Sequence, residues 1–174
     1  HHPQGAGIRR ILAAAIQAVE PGEAVLRFVR RTGDMLRVGE EQYALQDFHR
    51  IQLLSIGKAA AGMAAPLHEL LADRLASGLL VTKHAPQDPL PGLTVLQGDH
   101  PLPDERSLAA GKRVIDFIYD LGPQDLLLCL ISGGGSALVA APVAGVSLSD
   151  LQTLTSACWP AGRASRRSTC CAAG

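Results

Sequence analysis

The sequence carries no excess of either charge: sixteen Lys and Arg balance sixteen Asp and Glu, and 18% of residues are charged. That argues against the basic footprint of a nucleic-acid or membrane-surface binder. No apolar stretch reaches the ~18 residues that a transmembrane helix requires. The N-terminus shows no charged leader followed by an apolar block, so no secretory signal is expected; His1 and His2 are given no role. Cysteine is sparse before the last seventeen residues, which hold Cys158, Cys170 and Cys171, while Cys129 stands alone in an apolar run. That distribution builds no disulfide framework. A reducing, cytoplasmic setting is expected, with Cys129 as a small buried hydrophobe. Six histidines lack cysteine or carboxylate partners at ligand spacing, so no metal site is expected. Internal repeats and low-complexity linkers are also missing, and 174 residues suffice for one domain with a real core.

What is present is a regular succession of helix and strand patterns. Ile8, Ile11, Leu12, Ala15, Ile16 and Val19 keep helical spacing, and Pro21-Gly22 ends that helix. Glu23 to about Arg31 reads as a second helix, with Ala24, Val25, Phe28 and Val29 inward and Gly33 as its C-cap. Met35–Val38 and Gln42–Leu45 read as a small hairpin. Ile51–Ile56 is the first core strand. After Gly57-Lys58 a helix is expected from Ala59 to about Leu75, kinked or split at Pro66. Gly78–Lys83 and Leu93–Gln97 are further strands, and Asp104 is the N-cap of a helix to about Asp120. Asp125–Ile131 holds an apolar run expected to be a central strand buried on both faces. Ser147 and Asp150 open a helix from Leu148 to about Ala157. Strands alternating with helices from Ile51 to Ile131 are the signature of right-handed βαβ units. The expected fold class is therefore α/β, a Rossmann-like parallel sheet with flanking helices.

Three turns carry candidate chemistry. Ser132-Gly133-Gly134-Gly135-Ser136 follows a strand, where glycine lets the backbone approach a ligand and N–H groups can converge on an anion. On spacing alone this loop is either a phosphate or carboxylate cradle or a plain glycine turn. It is not a P-loop, and Leu138 stands where a dinucleotide fingerprint needs its third glycine. Lys58 sits at a helix N-terminus, where the helix dipole already disfavours a cation by some tenths of a kcal/mol to ~1. An anion between them would resolve that conflict; an exposed lysine in water is the plainer alternative. His100, before Pro101, is either a turn and packing residue or a third group at the same strand ends. In an open parallel sheet those carboxyl ends are where ligands sit.

From Cys158 onward the texture changes. The segment 158–174 has no apolar periodicity, holds three of the four cysteines and the lone Trp159, and contains no acid. Pro160 would break the helix that has just begun. A back-translation read one base out of register can continue that helix, so a frameshift close to Ala157 is expected. Residues 1–157 then form one unit and 158–174 an out-of-frame or disordered tail.

Ser55-Ile-Gly-Lys-Ala-Ala60, Gly98-Asp-His-Pro-Leu-Pro-Asp104 and Leu130-Ile-Ser-Gly-Gly-Gly-Ser-Ala-Leu138 occur in this order. Together they resemble the glycerate 2-kinases of the MOFRL type, also labelled hydroxypyruvate reductases. The resemblance covers about residues 8–157. It implies an ATP- and Mg-dependent kinase acting on the 2-hydroxyl of D-glycerate, and a two-domain enzyme with its active site in the cleft. The chain would be the first part of the larger domain, inactive by itself. The resemblance also implies that Lys58 is catalytic, and that Ser132, Gly133, Gly134, Gly135, Ser136 and His100 bind substrate or phosphate. Asp99 stands where alanine is common. Neither a general base nor Mg ligands are visible, and no oligomeric state is implied. The competing expectations are a non-catalytic anion-binding module and a reductase, and the missing dinucleotide fingerprint argues against the latter.

Overall fold

A computed structural model describes residues 5–158. The expected tail therefore lies outside the described residues, apart from Cys158, as do His1 and His2. The elements run α1 (Gly5–Ala18), α2 (Pro21–Phe28), β1 (Val29–Thr32), β2 (Met35–Val38), β3 (Glu41–Ala44), β4 (Arg50–Ile56) and α3 (Ala60–Leu70). They continue with β5 (Leu75–Thr82), β6 (Leu93–Gln97), α4 (Glu105–Tyr119), β7 (Asp125–Ile131), α5 (Gly135–Leu138) and α6 (Leu148–Cys158).

Strands β4 to β7 form a parallel sheet in the order β6-β5-β4-β7. This is the α/β architecture that the βαβ alternation predicts. Side chains alternate across each strand, so β4 feeds two cores. Ile51 and Leu53 join Leu67 and Leu71 of the α3 region, Leu36 and Leu80 on one face. Leu54 joins Leu79, Val81, Leu138 and the α4 residues Ala110, Val114 and Phe117 on the other. Fully burying each such aliphatic side chain contributes ~1.5–3 kcal/mol relative to leaving it exposed.

Several expectations need correction. Among the described residues β7 lies at the edge of the sheet, where a central strand is expected. Leu126, Leu128 and Leu130 pack towards α3, and Leu127 reaches the α4-side core, but Cys129 is exposed and Ile131 is 71% exposed. The reason is that α4 lies over β5 and β6, so the same face of β7 is left open among the described residues. The second helix stops at Phe28, and Val29–Thr32 pairs with Met35–Val38 as a hairpin. Gly33 (φ 59°) serves that hairpin turn rather than a helix cap, because β-branched Val29 and Thr32 suit the extended chain. With β3 these strands make a separate antiparallel sheet of three. Helix α3 passes through Pro66 unsplit and ends at Leu70, and β5 begins at Leu75. Arg31 of β1 donates to the Leu70 carbonyl oxygen (2.9 Å) and pairs with Asp73, fastening the small sheet to the end of α3. Helix α1 has the expected spacing, yet Ile8, Ile11, Leu12 and Ile16 are all exposed.

Candidate anion-binding site

The site is assembled where β4 and β7 end side by side. Gly57 follows β4 with φ 127°, a backbone state that side chains other than hydrogen rarely adopt. A Cβ there would lie 2.1 Å from Ser132 Oγ, so the two turns touch backbone to backbone. They are also stitched together. Ser132 N–H donates to the Ile56 carbonyl oxygen (2.8 Å), Lys58 N–H to that of Gly133 (3.0 Å), and Ala59 N–H to Ser132 Oγ (3.1 Å). The Ser132 hydroxyl thus anchors the start of α3 as well as lining the site.

The third turn enters from β6. Gly134 takes φ 92°, and a Cβ on it would stand 3.1 Å from His100 Cδ2 and 3.2 Å from Cε and Cγ of Lys58. All three turns therefore meet at one rim. Lys58, Ala59, His100, Ser132, Gly133, Gly134 and Ser136 line a cavity of about 410 Å³. Gly135 is the predicted site residue that does not line it; its Cα faces Ile56. Among the described residues none accepts a hydrogen bond from the N–H groups of Gly133, Gly134, Gly135 or Ser136. Four successive donors, a lysine and the first turn of α3 make an environment for negative charge.

His100 is held by Asp99 of its own motif and by Lys83 from beyond it. Its N–H donates to Asp99 Oδ1 (2.7 Å), and Lys83 Nζ donates to its carbonyl oxygen (2.6 Å). The peptide bond from His100 to Pro101 is cis. Behind the turn, buried Ser107 accepts from Asp99 N–H (3.1 Å) and Asp104 N–H (3.2 Å), and Asp104 closes a capping box on α4. Burial lowers the pKa of His100 below its ordinary value, and the cations Lys58 and Lys83 push the same way. These effects favour the neutral imidazole, a donor at one nitrogen and an acceptor at the other. The His100 N–H lowers the pKa of Asp99, with Lys83 adding to it. Lys83 and Asp99 were not predicted as functional. The available signal was a lysine just after an apolar strand, sixteen positions before an aspartate that follows another.

Among the described residues no three His, Cys, Asp or Glu side chains gather to hold a metal. A phosphate or carboxylate group fits the donor set. No helix among the described residues is long and apolar enough to cross a membrane.

Residues 7–165 match the family described as Domain of unknown function (DUF4147). A D-glycerate 2-kinase of Thermotoga maritima is 33% identical over 153 residues, which is 87% of this chain and 33% of that protein. A putative hydroxypyruvate reductase of Agrobacterium vitis is 39% identical over 113 residues, 65% of this chain and 29% of that one. A crystal structure of a protein from Pyrococcus horikoshii superposes with a TM-score of 0.72 at 33% identity, covering 81% of this chain and 31% of its own. The chain spans about a third of the length of these relatives.

Proposed function

The chain belongs to the DUF4147 family, and from that premise we propose that it supplies the anion-binding turns of a glycerate 2-kinase. The reaction transfers the γ-phosphoryl group of ATP to the 2-hydroxyl of D-glycerate. One observation carries this reading: Lys58, His100 and the glycine loop, far apart in sequence, line a single 410 Å³ cavity at the carboxyl edge of a parallel sheet. Relatives named as glycerate 2-kinases point the same way.

Phosphoryl transfer asks a protein for positioning and charge neutralisation more than for covalent help. The loop N–H groups of Gly133, Gly134 and Ser136 hold a phosphate or the glycerate carboxylate. Lys58 places a compact, mobile positive charge against the oxygens of the transferring group. His100 hydrogen-bonds the substrate through its ring nitrogens. ATP supplies the phosphoryl group and magnesium shields its oxygens when bound; no residue described here is assigned to the metal.

The test is a chimera in which residues 7–157 replace the matching third of the Thermotoga maritima relative. With D-glycerate and Mg-ATP it should form ADP, and Lys58→Met should lower kcat by about 10²–10³, as for loss of one transition-state donor. Oxidation of glycerate with NAD and no ADP would overturn the kinase reading in favour of a reductase. A folded chimera that binds phosphate saturably but turns nothing over would favour a binding module.

A further inference from the structure

We propose that Lys83 is a positioning residue, which aims the His100 imidazole at the anion while touching no ligand itself. The inference rests on the anion-site reading above. Lys83 follows directly on β5, whose last residues Leu79 to Thr82 are buried, so the chain leading into it is held by the sheet. Its Nζ donates to the His100 carbonyl oxygen (2.6 Å) and lies 3.2 Å from Asp99 Oδ1. That same carboxylate oxygen accepts the His100 N–H (2.7 Å). One ion pair therefore grips both backbone polar groups of residue 100. With the N–H and the carbonyl fixed, the Cα–Cβ direction is fixed too, and the ring is delivered against Gly134 and Lys58.

Lys83 is absent from the cavity wall, so its effect must pass through His100. An ordinary surface ion pair contributes little. This one differs because the lysine side chain is only 35% exposed and is shared between a carboxylate and a backbone carbonyl. Arg106 provides the contrast. It reaches the other Asp99 oxygen at 4.0 Å and bonds Asp104 at 2.7 Å, so it grips neither side of the His100 peptide.

The experiment titrates inorganic phosphate into the 174-residue chain by calorimetry, with His100 ring signals followed by NMR and folding checked by thermal melt. Lys83→Met should weaken binding about tenfold, as expected for loss of a charged hydrogen-bond donor, and should shift the His100 ring signals. On a His100→Ala background the same change should cost less than about twofold, the limit of additivity error. Arg106→Met should leave affinity and ring signals as they are. Equal losses with and without His100 would overturn the proposal by showing that Lys83 acts on the anion directly. Unmoved ring signals in Lys83→Met would overturn it whether or not phosphate binds. Lys83→Gln serves if the methionine variant does not fold. Failure of the anion site itself has a separate sign: Lys58→Met would leave phosphate binding unchanged.

Discussion

Gly98→Ala tests how closely the His100 turn is pressed against the segment after the glycine loop. A Cβ at residue 98 would stand 2.3 Å from the Leu138 carbonyl oxygen and 2.8 Å from its Cα. Comfortable separations for such atoms are about 3.5 Å, so the two backbones must part by roughly 1 Å. Leu138 cannot yield easily, because it is fully buried in the α4-side core, and its neighbour Ala140 is tied by its N–H to the Ser107 carbonyl oxygen (3.0 Å). Overpacking of this kind costs ~1–3 kcal/mol, and the upper half of that range applies because backbone rather than a side-chain tip must move. For a chain of this size each kcal/mol lowers the melting midpoint by ~2–4 °C, so a drop of roughly 5–10 °C is expected by circular dichroism. Phosphate affinity should fall as well, since His100 lies two residues on. Gly133→Ala is the control: a Cβ there meets nothing within 4 Å, and its melt should match the parent within ~2 °C. A Gly98→Ala protein that melts with the parent would refute the packing argument.

Two further outcomes follow from the same geometry. His100 has a folded-state pKa below its ordinary 6.5, so on acidification the unfolded chain takes up a proton that the folded one resists. Stability on this account is complete above about pH 6.5 and declines as pH falls from there through the folded value. His100→Gln should flatten the decline of melting temperature between pH 7.5 and 5, and parallel curves for the two proteins would sink the assignment. Arg31→Met should loosen the small antiparallel sheet where it meets the end of α3, since Arg31 reaches both the Leu70 carbonyl and Asp73, while buried Leu36 keeps the sheet on the core. Hydrogen exchange of the β1–β3 amides should quicken while β4 and β5 stay protected, and unchanged protection in β1–β3 would count against that fastening.

The meeting of the three turns was more legible in the sequence than the sheet order. Lys58, His100 and the glycine loop each follow a strand that hydrophobicity alone reveals, and parallel strands deliver such turns to one edge. Strand order is different. Leu126 to Ile131 are as apolar as any central strand, but that run reports preference for burial and not which neighbour provides it; β4 and β5 took the middle and left Cys129 uncovered. The boundary between α2 and β1 was ambiguous because Ala24, Val25, Phe28 and Val29 satisfy helical spacing, while the Gly33-Asp34 turn settles Val29–Thr32 as a strand. The role of Asp99 could not be read from its own motif, since its partner Lys83 comes from another strand.

The stitching of Ser132 to Ile56 and Ala59 also bears on what occupancy does to the fold. A guest seated between Lys58 and the glycine loop would bridge the ends of β4 and β7, the seam at the open side of the sheet. Binding energy is then shared with that seam by mass action, and β7 becomes a strand that a saturating ligand resists losing.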